Sequence, residues 1–254
     1  MKTALVLSAG GMYGAYQAGA WKVLSQVLKP DLIVGASIGA LNGWAIAGGC
    51  APDELIDRWL NLKQAAGYRL TIPRSLFSGV LDAGPLHSAI GEIYAGFQPK
   101  TEFALVVTDL LKLQPRMILG DQVTARHLAA STAIIGLFDQ VRLDDGRVYS
   151  DGALLSAVPI WAAAQLGARR IVVLNVLPVP PNMIAKTFVA GMRWLAPNRP
   201  KHDPGIEVIT VMPPGLLGSF KDMLYWTRAN TEAWIRRGEE DASEALTTFH
   251  VPNA

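Results

Sequence analysis

The sequence predicts an α/β protein of three layers, α/β/α, with a mainly parallel central sheet covered by helices on both faces. Three observations carry this expectation. Short apolar runs of β type alternate along the chain with helix-compatible stretches. Two of those runs end in glycine-bearing turns that lead directly into a helical pattern. Half of the 254 residues are hydrophobic and 17% are charged, so the chain has a large core to bury.

Taken in order, Ala4-Leu5-Val6-Leu7 reads as the first strand. The turn Ser8-Ala9-Gly10-Gly11-Met12-Tyr13-Gly14 follows, then a helix from about Tyr16 to Leu28. Leu32-Ile33-Val34 is the second strand, and the run after Ser37 suits a helix. Pro52-Asp53-Glu54 opens another helix, with proline and acids where a first turn favours them. Phe103 to Val107 reads as a strand with Arg116 to Leu119 as its hairpin partner, and Ile171 to Leu174 and Glu207 to Val211 are later strands. Two segments are irregular: Gly67 to Pro85, and the proline-rich Pro178 to Pro204, which encloses the apolar stretch Met183 to Leu195. A last long helix is expected from Phe220 to Leu246. With no internal repeat, residues 1–254 are expected to form a single domain.

Composition narrows the function classes. A formal net charge of +2 gives no nucleic-acid footprint and no acidic tail. The single cysteine, Cys50, excludes an intrachain disulfide and a cysteine-based zinc cluster, and fits a reducing compartment. Lys2 precedes only a four-residue apolar run before glycines, which is not a secretory signal. From Leu32 to Ala51 no residue is charged, close to the ~20 residues of a membrane span. That stretch starts as a strand and contains glycines, Ser37 and Asn42, so it is expected to be a buried strand and helix. The expected location is cytoplasmic, with peripheral contact to a membrane surface.

The chemistry-bearing element is Gly35-Ala36-Ser37-Ile38-Gly39, set between an apolar strand and a helix. A serine on such a turn projects its hydroxyl outward, and flanking glycines allow a sharp turn and close packing of helix on strand. The helix N-terminus adds partial positive charge near a developing oxyanion. The earlier turn, with Gly10, Gly11, Met12 and Gly14, offers backbone amides for an oxyanion hole. Two other readings of that turn are a dinucleotide loop and a plain tight turn. Ala9 breaks the G-x-G-x-x-G spacing, and no acid ends the second strand to hold a ribose.

A serine nucleophile needs a base. His87, His127, His202 and His250 are present, but none sits at a strand end, and surface or capping roles suit them better. Asp151, after the strand-like Val148-Tyr149-Ser150, is the stronger candidate: a strand ending in Asp-Gly presents the carboxylate on a turn where Gly152 is expected to permit an unusual backbone. A free Asp titrates near ~3.9 and is a poor base for a hydroxyl, but a water-poor cleft would raise its proton affinity. An ordinary Asp-Gly turn is the competing reading.

The three motifs Ala9-Gly10-Gly11-Met12-Tyr13-Gly14, Gly35-Ala36-Ser37-Ile38-Gly39 and Asp151-Gly152-Ala153, in that order, resemble the patatin-like phospholipase family. Ala130-Ser131-Thr132-Ala133-Ile134 before the third motif and Val158-Pro159 after it agree, and the likeness spans roughly residues 3 to 177. The resemblance implies a patatin-like fold and a Ser–Asp dyad that works without histidine, metal or cofactor. Ser37 would be the nucleophile, Asp151 the base, and the amides of Gly10, Gly11 and Met12 the oxyanion hole. The substrate would be a lipid or simple ester: a phospholipid, lysophospholipid or glyceride. Two departures stand out. Ala9 replaces the family's first glycine, and Tyr13 stands where the family carries Arg or Lys, so ester hydrolysis is a firmer expectation than a phospholipid head group. The alternatives are an acyltransferase on a related scaffold and a catalytically silent lipid-binding protein. Residues 178–220 are read as a lid that would serve an acyl groove, and no oligomeric state is implied.

Overall fold

Eight strands form one sheet in the computed structural model: β1 (Thr3–Leu7), β2 (Leu32–Ala36), β3 (Glu102–Asp109), β4 (Gln114–Leu119), β5 (Val141–Arg142), β6 (Val148–Asp151), β7 (Arg170–Leu174) and β8 (Glu207–Val211). The structure describes residues 1–62, 69–73, 75, 77–178, 187, 190–191, 196 and 205–248. Strands β3, β2, β1, β7 and β8 lie side by side and parallel; β4, β5 and β6 add an antiparallel corner at the β3 side. The order reverses at β1, since β2 lies on one side of it and β7 on the other. In open α/β sheets, such a reversal leaves a crevice at the carboxyl ends of the strands.

The register at β3 decides the geometry of that crevice. Ala36, the last residue of β2, pairs with Val106. The next residue, Val107, pairs with Arg116 of β4 and with Asp151 of β6. A strand has two edges, and β4 takes one from Ala104 to Asp109. Strand β6 therefore takes up the other edge where β2 leaves it. Because β2 is parallel to β3 and β6 antiparallel, the carboxyl ends of β2 and β6 point at each other.

Side-chain alternation splits the core in two. Leu5, Leu7, Ile33, Phe103 and Leu105 face one layer, built from α1 (Gly14–Leu24), α2 (Ile38–Ala47), α3 (Pro52–Leu60), α4 (Gly84–Gly96), α5 (Ala125–Thr132) and the C-terminal helix Arg228–Thr248. Ala4, Val6, Val34, Ala104 and Val106 face the other, where Trp161, Ala162 and Ala163 of α7 (Ile160–Gln165) pack. A short helix α6 (Ala153–Ser156) precedes α7. The uncharged stretch from Leu32 is buried as β2 and α2, and no helix among the described residues is long and apolar enough to cross a membrane.

Helix α1 and the C-terminal helix approach unusually closely. A Cβ on Gly19 would lie 2.0 Å from the Ile235 carbonyl oxygen, and one on Gly238 would lie 2.1 Å from that of Tyr16. Tyr16 also donates from its hydroxyl to Asp241 at 2.8 Å, and Asp241 pairs with Arg237 at 2.6 Å.

Most expected elements agree with the structure to within two residues. Two helices do not. Helix α1 stops at Leu24, where the chain tightens into turns: Gln26 N–H bonds the Val23 carbonyl at 3.3 Å and Val27 N–H the Leu24 carbonyl at 3.0 Å, and Pro30 prevents the helix from resuming. The expected helix from Phe220 to Leu246 is two helices, Phe220–Leu224 and Arg228–Thr248. Tyr225 is extended, the Trp226 indole N–H donates to the Trp59 carbonyl at 3.0 Å, and the Thr227 hydroxyl accepts from Asn230 N–H at 3.2 Å as a new cap. The stretch Met183 to Leu195 lies outside the described residues apart from isolated positions, as does most of the expected lid.

Gly19→Ala and Gly238→Ala are each expected to force the two helices apart. Each should cost about 1–3 kcal/mol in equilibrium denaturation, whereas alanine at Gly91, which has open space around it, should not.

Candidate active site

Ser37 occupies the junction between β2 and α2, with φ 55° and ψ −130°. For a non-glycine residue this left-handed backbone is strained by roughly 1–3 kcal/mol and persists only where the surroundings impose it. Two features impose it here. Ser37 N–H donates to the Ser131 hydroxyl at 3.0 Å, and that hydroxyl donates to the Val106 carbonyl at 2.9 Å. Gly39 also leaves no room for relaxation, since a Cβ there would lie 2.3 Å from the Leu7 carbonyl oxygen. The flanking glycines thus serve clearance, while the serine itself takes the sharp backbone turn.

Asp151 ends β6 and is 3% exposed; Ser37 is 4% exposed. The Asp151 main chain is held on both sides: its N–H donates to the Ala133 carbonyl at 2.9 Å, and its carbonyl accepts from the Thr108 hydroxyl at 2.9 Å. Its carboxylate is divided between two donors. Oδ1 accepts from Ala153 N–H at 2.7 Å, and Oδ2 accepts from Ser37 Oγ at 2.6 Å. Among the described residues no cationic side chain pairs with it. Burial therefore dominates and pushes the carboxyl up to about 7, against the opposing pull of the hydrogen bonds from Ser37 and Ala153.

Gly152 corrects an expectation. It sits in ordinary right-handed helical backbone, φ −59°, so the Asp-Gly pair does not need glycine's conformational freedom. It needs its missing side chain: a Cβ would lie 2.3 Å from the Val106 carbonyl oxygen and 3.3 Å from the Ala36 side chain. The same clearance lets β6 meet the end of β2.

The first glycine turn lies at the carboxyl end of β1, beside the end of β2, as the pairing of Leu7 with Gly35 requires. Gly11 takes a left-handed φ of 55° and starts a 3₁₀ turn, Gly11–Tyr13. Among the described residues the amides of Gly10, Gly11 and Met12 donate to no protein acceptor. A buried polar network supports the turn from below. Gln17 donates to the Ser8 carbonyl at 2.8 Å, and Asn42 donates to the Gly14 carbonyl at 3.0 Å and to Gln17 Oε1 at 2.9 Å. The Trp59 indole closes it by donating to Asn42 Oδ1 at 3.1 Å.

Tyr13 is buried in the core. Its hydroxyl donates to the Ser219 carbonyl at 2.7 Å, and its ring meets Trp234 edge-on at 5.0 Å. Burial, then the nearby Asp222 carboxylate, raises its hydroxyl to about 12. His87 is exposed on α4, and His127 caps α5 by accepting from Thr124 N–H at 3.1 Å. His202 and His250 lie outside the described residues.

Residues 5–164 match the family model described as patatin-like phospholipase. The chain belongs to the patatin-like phospholipase family. This membership places it among lipid ester hydrolases. The fold agrees: the structure aligns with VipD from Legionella pneumophila over 97% of this chain and 67% of that one, at 15% identity and a TM-score of 0.55. It also aligns with ExoU in its complex with SpcU from Pseudomonas aeruginosa, over 97% of this chain and 51% of that one, at 14% identity and a TM-score of 0.47. In this patatin-like chain Ser37, Asp151 and the Gly10–Met12 turn converge at the strand ends. The position of the family's basic residue is filled by a tyrosine turned into the core. Ser131 had no role assigned from sequence; its signal was a hydroxyl in a run of small, buried residues.

Burying Asp151 costs stability over a defined pH window. Below the ordinary value of 3.8 the carboxyl is neutral in both folded and unfolded chains. As pH rises towards about 7 only the unfolded chain ionises, so the penalty grows, and it is complete above that value. Asp151→Asn is therefore expected to raise the melting temperature at pH 8 by several degrees and to leave it little changed at pH 4.

Proposed function

We propose that this chain hydrolyses carboxylic esters of lipids through an acyl-Ser37 intermediate, with Asp151 as general base. The observation that carries the reading is the 2.6 Å hydrogen bond between Ser37 Oγ and a buried carboxyl pushed up to about 7. At that value the carboxylate takes the serine proton with far less penalty than an exposed Asp would incur, since efficient base catalysis needs a pKa near the working pH.

The geometry supports the following steps. Ser37 Oγ attacks the ester carbonyl carbon as its proton passes to Asp151 Oδ2. The amides of Gly10, Gly11 and Met12, with the N-terminal end of α2, supply positive potential where the carbonyl oxygen becomes an oxyanion. The protonated carboxyl returns the proton to the departing alcohol, leaving acyl-Ser37. Water then attacks the acyl carbon while Asp151 accepts its proton; the bond to Ser37 Oγ breaks as Asp151 returns that proton to Oγ, and the fatty acid departs. Phospholipids, lysophospholipids, glycerides and simple esters all present the required carbonyl. Support for treating residues 1–254 as one working unit comes from the C-terminal helix, which packs on the helix that follows the glycine turn.

The test is hydrolysis of p-nitrophenyl esters of rising acyl length. Ser37→Ala is expected to lose about 10³-fold or more in kcat, and folded Asp151→Asn should fall comparably. For the wild type, kcat/KM should rise with pH through an apparent pKa near 7, as the base ionises. A rate independent of pH from 5 to 8 would remove Asp151 from the role.

Ser131 is proposed as a positioning residue. Ser131→Ala leaves Ser37 N–H and the Val106 carbonyl without their partner, at a cost of about 1–3 kcal/mol. The expected signature is a fall in kcat with KM nearly unchanged, because the nucleophile's backbone relaxes while Ser131, buried beneath it, does not reach the substrate. Equal losses across substrates, explained by unfolding alone, would assign Ser131 a purely structural part.

A further inference from the structure

The exposed apolar side chains of this protein are not scattered. Of nine large hydrophobic residues exposed among the described residues, four belong to one short segment: Leu70, Ile72, Phe77 and Val80. Leu70 is 82% and Ile72 87% exposed, so each projects almost free of the protein. A folded chain gains nothing from such exposure, and clustered apolar exposure marks a contact surface.

The segment is a hairpin-like excursion fixed at its base. Leu70 and Leu81 form an antiparallel bridge, Thr71 N–H donates to the Val80 carbonyl at 2.9 Å, and Asp82 N–H donates to the Arg69 carbonyl at 2.8 Å. Its second arm is seated on residues 136–140. Leu81 N–H donates to the Leu137 carbonyl at 2.9 Å, Gln140 N–H donates to the Phe77 carbonyl at 2.8 Å, and Asp139 accepts from Gly79 N–H at 2.8 Å. Residues 136–140 lead directly from Ala133, whose carbonyl accepts the Asp151 N–H and the Ser150 hydroxyl. Three residues of chain span at most about 11 Å. The excursion therefore stands close to the Ser37–Asp151 pair and on the same framework.

We infer that residues 69–81 dock this enzyme on a lipid–water surface, with Leu70 and Ile72 entering between the lipids. This rests on the reading of the chain as a lipid ester hydrolase. Two features select a lipid surface over a protein partner. Leu70 and Ile72 project as individual side chains, which suits penetration of a soft interface better than matching of a flat one. From Arg69 to Leu81 the sequence has two arginines and no acid, the charge that complements anionic head groups. Anchoring at this point would hold the strand-end crevice against the surface from which an ester must be drawn.

The experiment is co-sedimentation of the full chain with phosphatidylcholine–phosphatidylglycerol vesicles, alongside hydrolysis of a water-soluble short-chain ester. Wild type and Ser37→Ala are expected to bind equally. The double variant Leu70→Asp/Ile72→Asp should bind at least about tenfold more weakly, with soluble-ester hydrolysis unchanged and the same circular dichroism. The single variant Ile72→Ser should be intermediate. Unchanged sedimentation of the double variant, or failure of the wild type to sediment, would overturn the docking role. So would conversion of a dimer to a monomer by the same substitutions, since the surface would then join two copies of the chain. Vesicle binding without ester hydrolysis would instead count against the proposed reaction, so the two readings fail separately.

Discussion

The site depends on one constraint of strand pairing: β2 and β6 share a single edge of β3 and meet there end to end. A parallel strand and an antiparallel strand in line on one edge bring two carboxyl ends together. The residue just past the first is Ser37, and the last residue of the second is Asp151. Everything around this meeting point makes it possible. Gly152 keeps a side chain out of the gap between Val106 and Ala36, and Thr108 and Ala133 hold Asp151 from either side. Ser131 ties the backbone of Ser37 to β3 itself.

The proton affinity of Asp151 is produced by withdrawing water rather than by adding charge. A nearby cation would strengthen the fold but hold the carboxyl low, useless as a base for a hydroxyl. A second carboxylate would raise it at the cost of mutual repulsion. Here the Ser37 hydroxyl is the main hydrogen-bond partner of the carboxyl, so the two groups tune each other through one hydrogen bond. The strained backbone of Ser37 and the dry carboxyl are both unfavourable for stability. They are tolerated because the strands beneath them are buried on both faces.

Much of this was legible from the chain. The runs of β1, β2, β3 and β7 were apolar, and three motifs in order carried the family resemblance; β5, two residues long, left no signal. Ser37 and Asp151 were nameable because each sits at a strand end, Ser37 with a glycine two positions to either side and Asp151 directly before one. What could not be read was the reason for the glycines. At Gly152, clearance and backbone freedom leave the same letter in the sequence, and only packing distinguishes them. Ser131 was likewise invisible as a partner of Ser37, since a contact across 94 positions has no local signature. The break at Tyr225 to Thr227 had a signal, a threonine able to cap a new helix, but an uninterrupted apolar pattern ran across it. The fate of the basic position was also hidden. A tyrosine there could have faced the crevice, and it lies against Trp234 because the returning C-terminal helix supplies an aromatic partner.

The glycine turn near the amino terminus is finished by the far end of the chain. Tyr13 is tied to Ser219, Gly11 lies under the Met223 carbonyl, Tyr16 is tied to Asp241, and Trp226 reaches the Trp59 that closes the network beneath the turn. These closures span 167 to 225 positions, among the longest loops the chain can make. During synthesis the strands holding Ser37 and Asp151 can pair well before residue 217 emerges, but the turn beside them cannot. The nascent chain thus brings Ser37 and Asp151 together before the glycine turn beside them is supported. The turn beside Ser37 therefore stays without its packing partners until the helix Arg228–Thr248 has left the ribosome.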